Sequence, residues 1–350
     1  MKILALLCVR NEGAFLLDWI AHHRACGVTD FLVFSNDCQD GTDTLLDALA
    51  ADGVLTHVRN DGPYDKGGVQ FTALKAAAKR AELHKADWIL PLDIDEFVNV
   101  HTGDGTLPAL IAALPEATAI TLTWRLFGNN GLVRYEDTPV PSLFPRAAPV
   151  VMHWPWRAAM FKTLYRNDGT YRKPGVHRPR DADPAKLDQA RWFDGEGRAL
   201  DDQFKTRRLF SNFGRSNYAL AQLNHYPLGA MESFVLKADR GRAVHAADTL
   251  GLDYWVERNW QTDEDTSIAR YAASTAAHRG ALATPAIRAL HDAAVQWRHQ
   301  RFEALMQEEP FRALFGRLLM TPPSRPVPPR AAQFMTGYAN LARQGAVKKP

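Results

Sequence analysis

Trp88-Ile89-Leu90-Pro91-Leu92-Asp93-Ile94-Asp95-Glu96-Phe97 runs five apolar residues straight into a cluster of carboxylates. The apolar half has the length and continuity of a parallel strand covered on both faces. Asp93 and Asp95, two residues apart, project from one face at its end. Two hard oxygen ligands with open positions suit Mg²⁺ or Mn²⁺ shared with a substrate diphosphate. Acidic pairs at strand ends are common, so the surrounding chain must decide what this pair does.

Upstream, strands and helices alternate. Ile3–Val9 is a second continuous apolar run, followed by a helix over 13–26 that Asn11 can cap and Gly27 stops. The pattern continues with a strand at 30–34, a helix at 43–51, a strand at 54–58 and one long helix at 69–84 leading to 88–92. This β-α-β-α-β order predicts right-handed crossovers and one doubly wound, mostly parallel sheet, an α/β fold. Ligands bind such sheets beyond the carboxyl ends of the strands. Three polar clusters fall there: Arg10-Asn11-Glu12, Ser35-Asn36-Asp37 and Asp93-Ile94-Asp95-Glu96. Arg10, Asn11 and Glu12 stand at a helix start, where backbone N–H groups favour anions, although Asn11 also reads as a plain cap. Asn36 and Asp37 open a turn ending in Asp40-Gly41-Thr42, in which Gly41 can supply positive φ. The same amide and carboxylate can hydrogen-bond a base or a ribose.

Residues 118–228 read as short strands and loops, and from Met231 onward helices dominate. The span 157–215 carries 14 Lys/Arg against 8 Asp/Glu. Within it Lys162 and Arg166 lie on a short strand with His177 beyond, placed to line a diphosphate or an anionic acceptor, or simply a solvated face. Pro285 can begin a helix whose apolar face is Leu290, Ala294, Trp297 and Leu305, with Pro310 as its end. Trp154, Trp156, Trp192 and Trp255 are candidates for core packing or for stacking on sugar rings. The domain reading is a sheet domain over 1–228, a helical region over 229–320, and a Pro-rich basic tail over 321–350 that extends from a linker and is mobile.

Composition excludes several classes. With 350 residues, 46% hydrophobic and 23% charged, the chain is ordinarily globular. A net charge of 42 − 39 = +3 is too small for a general nucleic-acid binder. The tail alone contributes +5 through Arg325, Arg330, Arg343, Lys348 and Lys349, enough for weak peripheral contact with anionic lipid. Cys8, Cys26 and Cys38 are odd in number and lack CxxC spacing, which fits a reducing, cytoplasmic setting. The apolar start reaches Arg10 too soon to span a bilayer and has no small-residue cleavage site, so no signal peptide is expected.

In their order, these motifs resemble GT-A-fold glycosyltransferases of family 2 and its relatives related to family 92. Asn11-Glu12, the Asn36 to Thr42 turn and Asp93-Ile94-Asp95-Glu96-Phe97 carry the resemblance first. Asp18-Trp19-Ile20-Ala21-His22-His23 with Gly27-Val28, Gln70 with Ala73, and Trp124 through Gly131 extend it. Asn224-His225-Tyr226 followed by Ser233, Phe234 and Lys237 complete it, over about residues 1–242. The resemblance implies metal-dependent transfer, inversion at the sugar carbon, a nucleotide-sugar donor with UDP-sugars foremost, and a glycan or lipid-linked acceptor. It implies that Asp93 contacts ribose or metal, that Asp95 ligates Mn²⁺ or Mg²⁺, and that His225 returns as a third ligand. The donor-binding set is then Arg10, Asn11, Glu12, Asn36, Asp37, Gln70, Asp93 and Lys162. A transferase that inverts also needs a carboxylate base; Asp201, Asp202 and Glu232 are candidates, and Asp201-Asp202 also reads as a helix start. Ser35 departs from the family, which often has Asp there. His23, on the apolar helix face, reads as structural. A sugar nucleotidyltransferase would need a Gly-rich loop with Arg or Lys that Arg10-Asn11-Glu12-Gly13 does not supply. A degenerate binding module is the other alternative.

Overall fold

The computed structural model describes residues 1–64, 67–241 and 250–347. Nine strands form its main sheet: β1 Ile3–Val9, β2 Asp30–Ser35, β3 Thr56–Arg59, β4 Trp88–Leu92, β5 Glu96–Val100, β6 Ala119–Leu126, β7 Phe161–Arg166, β8 Trp192–Asp194 and β9 Ala221–His225. Their order is β3-β2-β1-β4-β7-β6-β9-β5, with β8 also beside β6. The first four run parallel, as the alternating pattern requires. The sheet is an α/β sheet, mostly parallel, with antiparallel pairing where β7 joins β4 and β6 and where β5 joins β9.

Register places the site. Val9 pairs with Ser35 and Leu7 with Leu92, so Arg10, Asn36 and Asp93 leave the sheet along one edge. The chain then turns back into β5, where Glu96 pairs with His225. A residue 129 positions downstream of Glu96 is thereby fixed beside the Asp93–Asp95 turn. Along β1, Ile3, Ala5, Leu7 and Val9 enter one core with Leu16, Trp19 and Ile20, whereas Leu4 and Leu6 enter another with Leu74, Phe161 and Trp192. Burial on both faces is why this strand reads as a continuous apolar run.

The framing helices are α1 Gly13–Ala25, α2 Thr42–Ala51, α3 Val69–Ala77, α4 Ala81–Lys85, α5 Met231–Arg240, α6 Ala272–Leu282, α7 Pro285–Leu305, α8 Glu309–Met320 and α9 Pro329–Val347. α6 and α7 pack on α1, and Ile268, Tyr271 and Ile287 share the core of the sheet's first helices. A third core joins Phe234 of α5 to Trp255, Leu305 and Leu318. At Gly13 a Cβ would stand 2.8 Å from the Ala294 Cβ, so only glycine lets α7 come this close to the start of α1.

Several expectations are corrected. The long helix at 69–84 is two helices, because Arg80 adopts an extended backbone with φ −86° and ψ 142°. The buried face of α7 is Ile287, His291, Ala294, Arg298 and Leu305, rotated from the expected apolar stripe. His291 is tolerated inside because its Nε2 lies 3.1 Å from both Asp137 oxygens. Pro310 does not end α7; it sits in the first turn of α8, where its missing N–H costs nothing. Residues 329–347, read as a mobile tail, form α9, while Lys348 and Lys349 lie outside the described residues. Trp192 and Trp255 are fully buried and so belong to the core. No helix among the described residues is long and apolar enough to cross a membrane.

Candidate active site

The Asp93–Glu96 turn is held from three sides. The Trp19 indole of α1 donates to the Asp93 and Glu96 carbonyls at 3.2 and 3.0 Å. The Trp124 indole of β6 donates to Glu96 Oε1 at 2.6 Å, and the Asp93 N–H donates to Glu96 Oε2 at 2.8 Å. The Tyr226 N–H, just after β9, donates to the Asp95 carbonyl at 2.8 Å. Both tryptophans had stood out only as parts of family-like motifs; physically, they fix the direction of the two aspartates. Burial, reinforced by Asp93 and Asp95, pushes the Glu96 carboxyl well above the usual range.

Each aspartate meets a lysine from a distant segment. Lys162 Nζ lies 2.8 Å from Asp93 Oδ2 and 3.6 Å from Glu96, and Gln70 Nε2 donates to Asp93 Oδ1 at 3.0 Å. Lys237 Nζ lies 2.8 Å from Asp95 Oδ2, with His225 Nε2 3.5 Å from the other oxygen. Burial opposes the charge on both lysines, but Asp93 and Asp95 respectively outweigh it and raise their pKa values. Burial likewise opposes ionisation of Asp95, yet Lys237 and His225 hold it well below the ordinary carboxylate range. His225 is pushed down by burial, which keeps its imidazole neutral, and its Nδ1 is buried without a hydrogen-bond partner. His177, near Lys162, is pushed down to about 4 by burial and then by the lysine charge.

At the ends of β1 and β2 the side chains mostly serve one another. Asn11 adopts φ +54° and accepts from the Gln39 N–H at 2.7 Å. It is therefore not the helix cap. That role falls to Asp40, which accepts from the Gly13 N–H at 3.0 Å, and to Thr42, whose hydroxyl accepts from the Glu12 N–H at 2.9 Å. Gly41 takes φ +83°, as the turn demanded. Ser35, the departure from the family pattern, is bonded to His57 at 2.8 Å, and His57 to Asp47. Asn36 is buried, whereas Asp37 is exposed and accepts from the Tyr64 hydroxyl. Glu12 pairs with Arg240 of α5, which also donates to the Arg10 carbonyl at 2.7 Å.

A cleft opens between this edge, the loop 132–144 and helices α5 and α7. Asn11, Glu12, Asp95, Lys237 and Arg240 line one part of it. Leu132, Val140, Leu143, Phe144, Leu228 and Leu236 make much of the rest apolar. Glu136 and Arg298 also face it, and among the described residues neither has an ion-pair partner. Nothing in the sequence marked these two. Glu136 sits in an irregular loop, and Arg298 reads as one more basic residue on an amphipathic helix.

Of the expected residues, the structure brings together Arg10, Asn11, Glu12, Gln70, Asp93, Asp95, Lys162 and His225, with Asn36 and Asp37 beside them on the same edge. It does not bring Asp201, Asp202 or Glu232 into the cleft. Asp201 caps a short helix by accepting from the Gln203 N–H, Asp202 pairs with Lys205 in solvent, and Phe204 of that helix stacks on Phe161 in the core. Glu232 is buried and accepts from the Tyr135 N–H at 2.9 Å. His23 is fully buried, with Nδ1 2.8 Å from the Trp19 carbonyl, in keeping with its structural reading.

For a divalent ion, the carboxylate of Asp95 and the neutral imidazole of His225 form a fitting but partial donor pair. Among the described residues no group of three or more such side chains is arranged to hold a metal by itself. An ion here would need oxygens from its ligand, as one shared with a diphosphate would have.

No family model matches the chain. It is 28% identical over 97 residues to a glycosyltransferase family 92 protein of Ricinus communis, covering 27% of this chain and 16% of the relative. It is 24% identical over 128 residues to a family 92 protein of Oryza sativa subsp. japonica, covering 35% and 21%. The chain thus spans about a fifth or less of the curated relatives it matches. Among solved structures it is similar to S. aureus TarS 1–349 in complex with UDP-GlcNAc, at 17% identity and TM-score 0.33, covering 73% of this chain and 64% of that one. It is also similar to glucosyl-3-phosphoglycerate synthase from Mycobacterium tuberculosis in complex with Mn²⁺, UDP and product, at 17% identity and TM-score 0.23, covering 35% and 44%. The resemblance to family 92 glycosyltransferases read from the motifs is matched by these sequence relatives.

Proposed function

We propose that the chain transfers a sugar from a nucleotide-sugar donor, a UDP-sugar in the first instance, to a hydroxyl of a glycan or lipid-linked acceptor. The observation that carries this reading is the meeting of Glu12, Asp93 and Asp95 at one sheet edge with a buried lysine, a half-buried lysine and a neutral histidine from far along the chain. The similarity to family 92 glycosyltransferases supports it. In this reading the nucleoside lies along the ends of β1 and β2 beside Asn36 and Asp37. Gln70 and Asp93 receive the ribose, and the diphosphate approaches Lys162 and Lys237. Breaking the sugar–phosphate bond builds negative charge on the departing diphosphate, and two ammonium groups poised against carboxylates can turn to meet it. A divalent ion held by Asp95 and His225 would supply Lewis-acid stabilisation of the same charge.

For inversion, the acceptor hydroxyl must lose its proton to a base in the cleft. Glu136 takes that role in place of Asp201, Asp202 and Glu232, because it lines the cleft with Asp95 and is committed to no cation among the described residues. The three free cysteines support a cytoplasmic setting. Phe334, Tyr338 and Leu341, at helical spacing on α9 and 70%, 69% and 64% exposed, support peripheral contact with an anionic lipid surface beside Arg330.

Calorimetric titration of UDP and then GDP, with and without Mn²⁺, tests the reading. Metal-dependent UDP binding that disappears in Asp95→Ala is the expected result. Metal-independent binding would assign the diphosphate to Lys162 and Lys237 alone. If no nucleoside diphosphate binds with Mn²⁺ or Mg²⁺, the transferase reading fails. Slow donor hydrolysis without acceptor separates an enzyme from a binding module, which would show none.

A further inference from the structure

Arg298 of α7 is 5% exposed, yet no carboxylate among the described residues lies within ion-pair distance of it. Three of the cleft's acids are engaged elsewhere, Glu12 with Arg240, Asp95 with Lys237 and Asp239 with Arg301, and the fourth, Glu136, stands outside ion-pair distance of Arg298. The guanidinium carbon lies 4.5 Å from the Phe15 centroid and 4.7 Å from that of Tyr135, against two rings that meet edge to face with centroids 5.6 Å apart. One edge donates from Nη2 to the Ser233 hydroxyl at 2.9 Å, and Nε is buried with no partner. Burying a charge without a counter-charge is unfavourable unless something supplies one. The aromatic pair shields one side of the guanidinium from water and leaves its unpaired edge donors for a planar or tetrahedral anion, the geometry guanidinium groups recognise best. The same cleft is walled by Leu132, Val140, Leu143, Phe144 and Leu236 and reaches Asp95 and Lys237.

We infer that this cleft binds the acceptor, and that the acceptor carries an anionic head, a phosphate or a carboxylate, on an apolar body. Arg298 takes the head and the leucine-rich wall takes the body, next to the donor edge. The inference rests on the transferase reading for the word acceptor, but the binding site itself stands on Arg298 and its surroundings.

Octyl phosphate, octanoate and octyl glucoside, titrated into the full chain saturated with UDP and Mn²⁺, share a tail and differ in head. One or both anionic amphiphiles should bind about ten- to a hundredfold more tightly than the neutral one. The stronger of the two identifies the head as phosphate or carboxylate. Arg298→Met should abolish that preference while UDP binding persists. Should Arg298→Met fail to fold, Leu132→Asp, at a half-buried wall position, should weaken all three amphiphiles, because it meets the tail they share, and leave the order of their heads unchanged. Equal binding of all three amphiphiles, a preference that survives Arg298→Met, or undiminished binding to Leu132→Asp overturns the inference. The titrations are repeated without UDP, so loss of nucleotide binding refutes the transferase reading separately and leaves the anion site to be judged alone.

Discussion

At the end of β4, Asp93 and Asp95 each face a lysine at 2.8 Å, whereas Arg298 on the helical wall faces two rings and one hydroxyl. Both regions are largely withdrawn from water, and they handle charge in opposite ways. The β4 edge is balanced by the protein itself, so a ligand arriving there exchanges one partner for another and gains little from charge alone. The helical wall holds a charge that the chain does not balance, so an anion arriving there adds a partner where none existed. The first arrangement suits a group whose charge changes during reaction; the second suits a group that is simply held.

The largest effect is expected from breaking the balanced side. Asp95→Ala leaves the half-buried Lys237 with only the Pro227 carbonyl as a hydrogen-bond partner and should lower stability by about 1–3 kcal/mol in urea denaturation. Adding Lys237→Met should recover most of that stability but none of the donor turnover. Full stability of the single variant would show that the pair is not the balanced unit described above.

Acid reaches burial alone and burial beside a cation at the same point. His22 and His177 are both pushed down to about 4, the first by burial, the second by burial and Lys162. Both are neutral in the folded chain and take up protons near pH 6.5 when unfolded. Their contribution is complete above about pH 6.5 and declines as pH falls toward 4, by about 1.4 kcal/mol per pH unit for each histidine. Denaturation midpoints between pH 7 and pH 4.5 measure the slope, which His177→Gln should reduce by its own share.

Gly13→Ala sharpens the contrast differently. Its Cβ would collide with Ala294 and push α7 from α1, at a cost of about 1–3 kcal/mol. Since Phe15 lies on α1 and Arg298 on α7, anionic amphiphile binding should weaken more than UDP binding, and Ala294→Gly should restore it. The smallest effect belongs to Asp201→Ala, which removes a helix cap worth about 1 kcal/mol. Sugar transfer by this variant should match the unaltered chain; a large loss would return Asp201 to the list of candidate bases.

The balanced edge was legible in the sequence and the unbalanced wall was not. Continuous apolar runs ending in Asn11, Asn36 and Asp93 announce parallel strands and the edge where ligands gather, because burial on both faces leaves little choice of residue. The lysine partners were half visible: Lys162 stood on a recognisable short strand, and Lys237 closed a motif without an assigned role. The caps were misread, since Asp40 and Thr42 reach across to the start of α1, and propensity at Asn11 cannot report a bond made 28 residues away. Arg298 and His291 defeated the reading of α7 because a buried guanidinium against two rings and an imidazole beside Asp137 look, in sequence, like solvated positions. Asp201 and Asp202 lie away from the cleft for the converse reason, as a carboxylate at a helix start is first of all a cap.

The pairing of Asp95 with Lys237 has a consequence for how the molecule is made. These partners are separated by 142 positions, and the guanidinium that completes the cleft lies farther along still. A ribosome therefore releases the sheet edge with its acids well before the lysine and arginine that answer them. Until α5 and α7 emerge, that edge is an acidic patch facing water, and nothing presses α1 into place at Gly13. The cleft is completed last, by the part of the chain whose sequence marks it least.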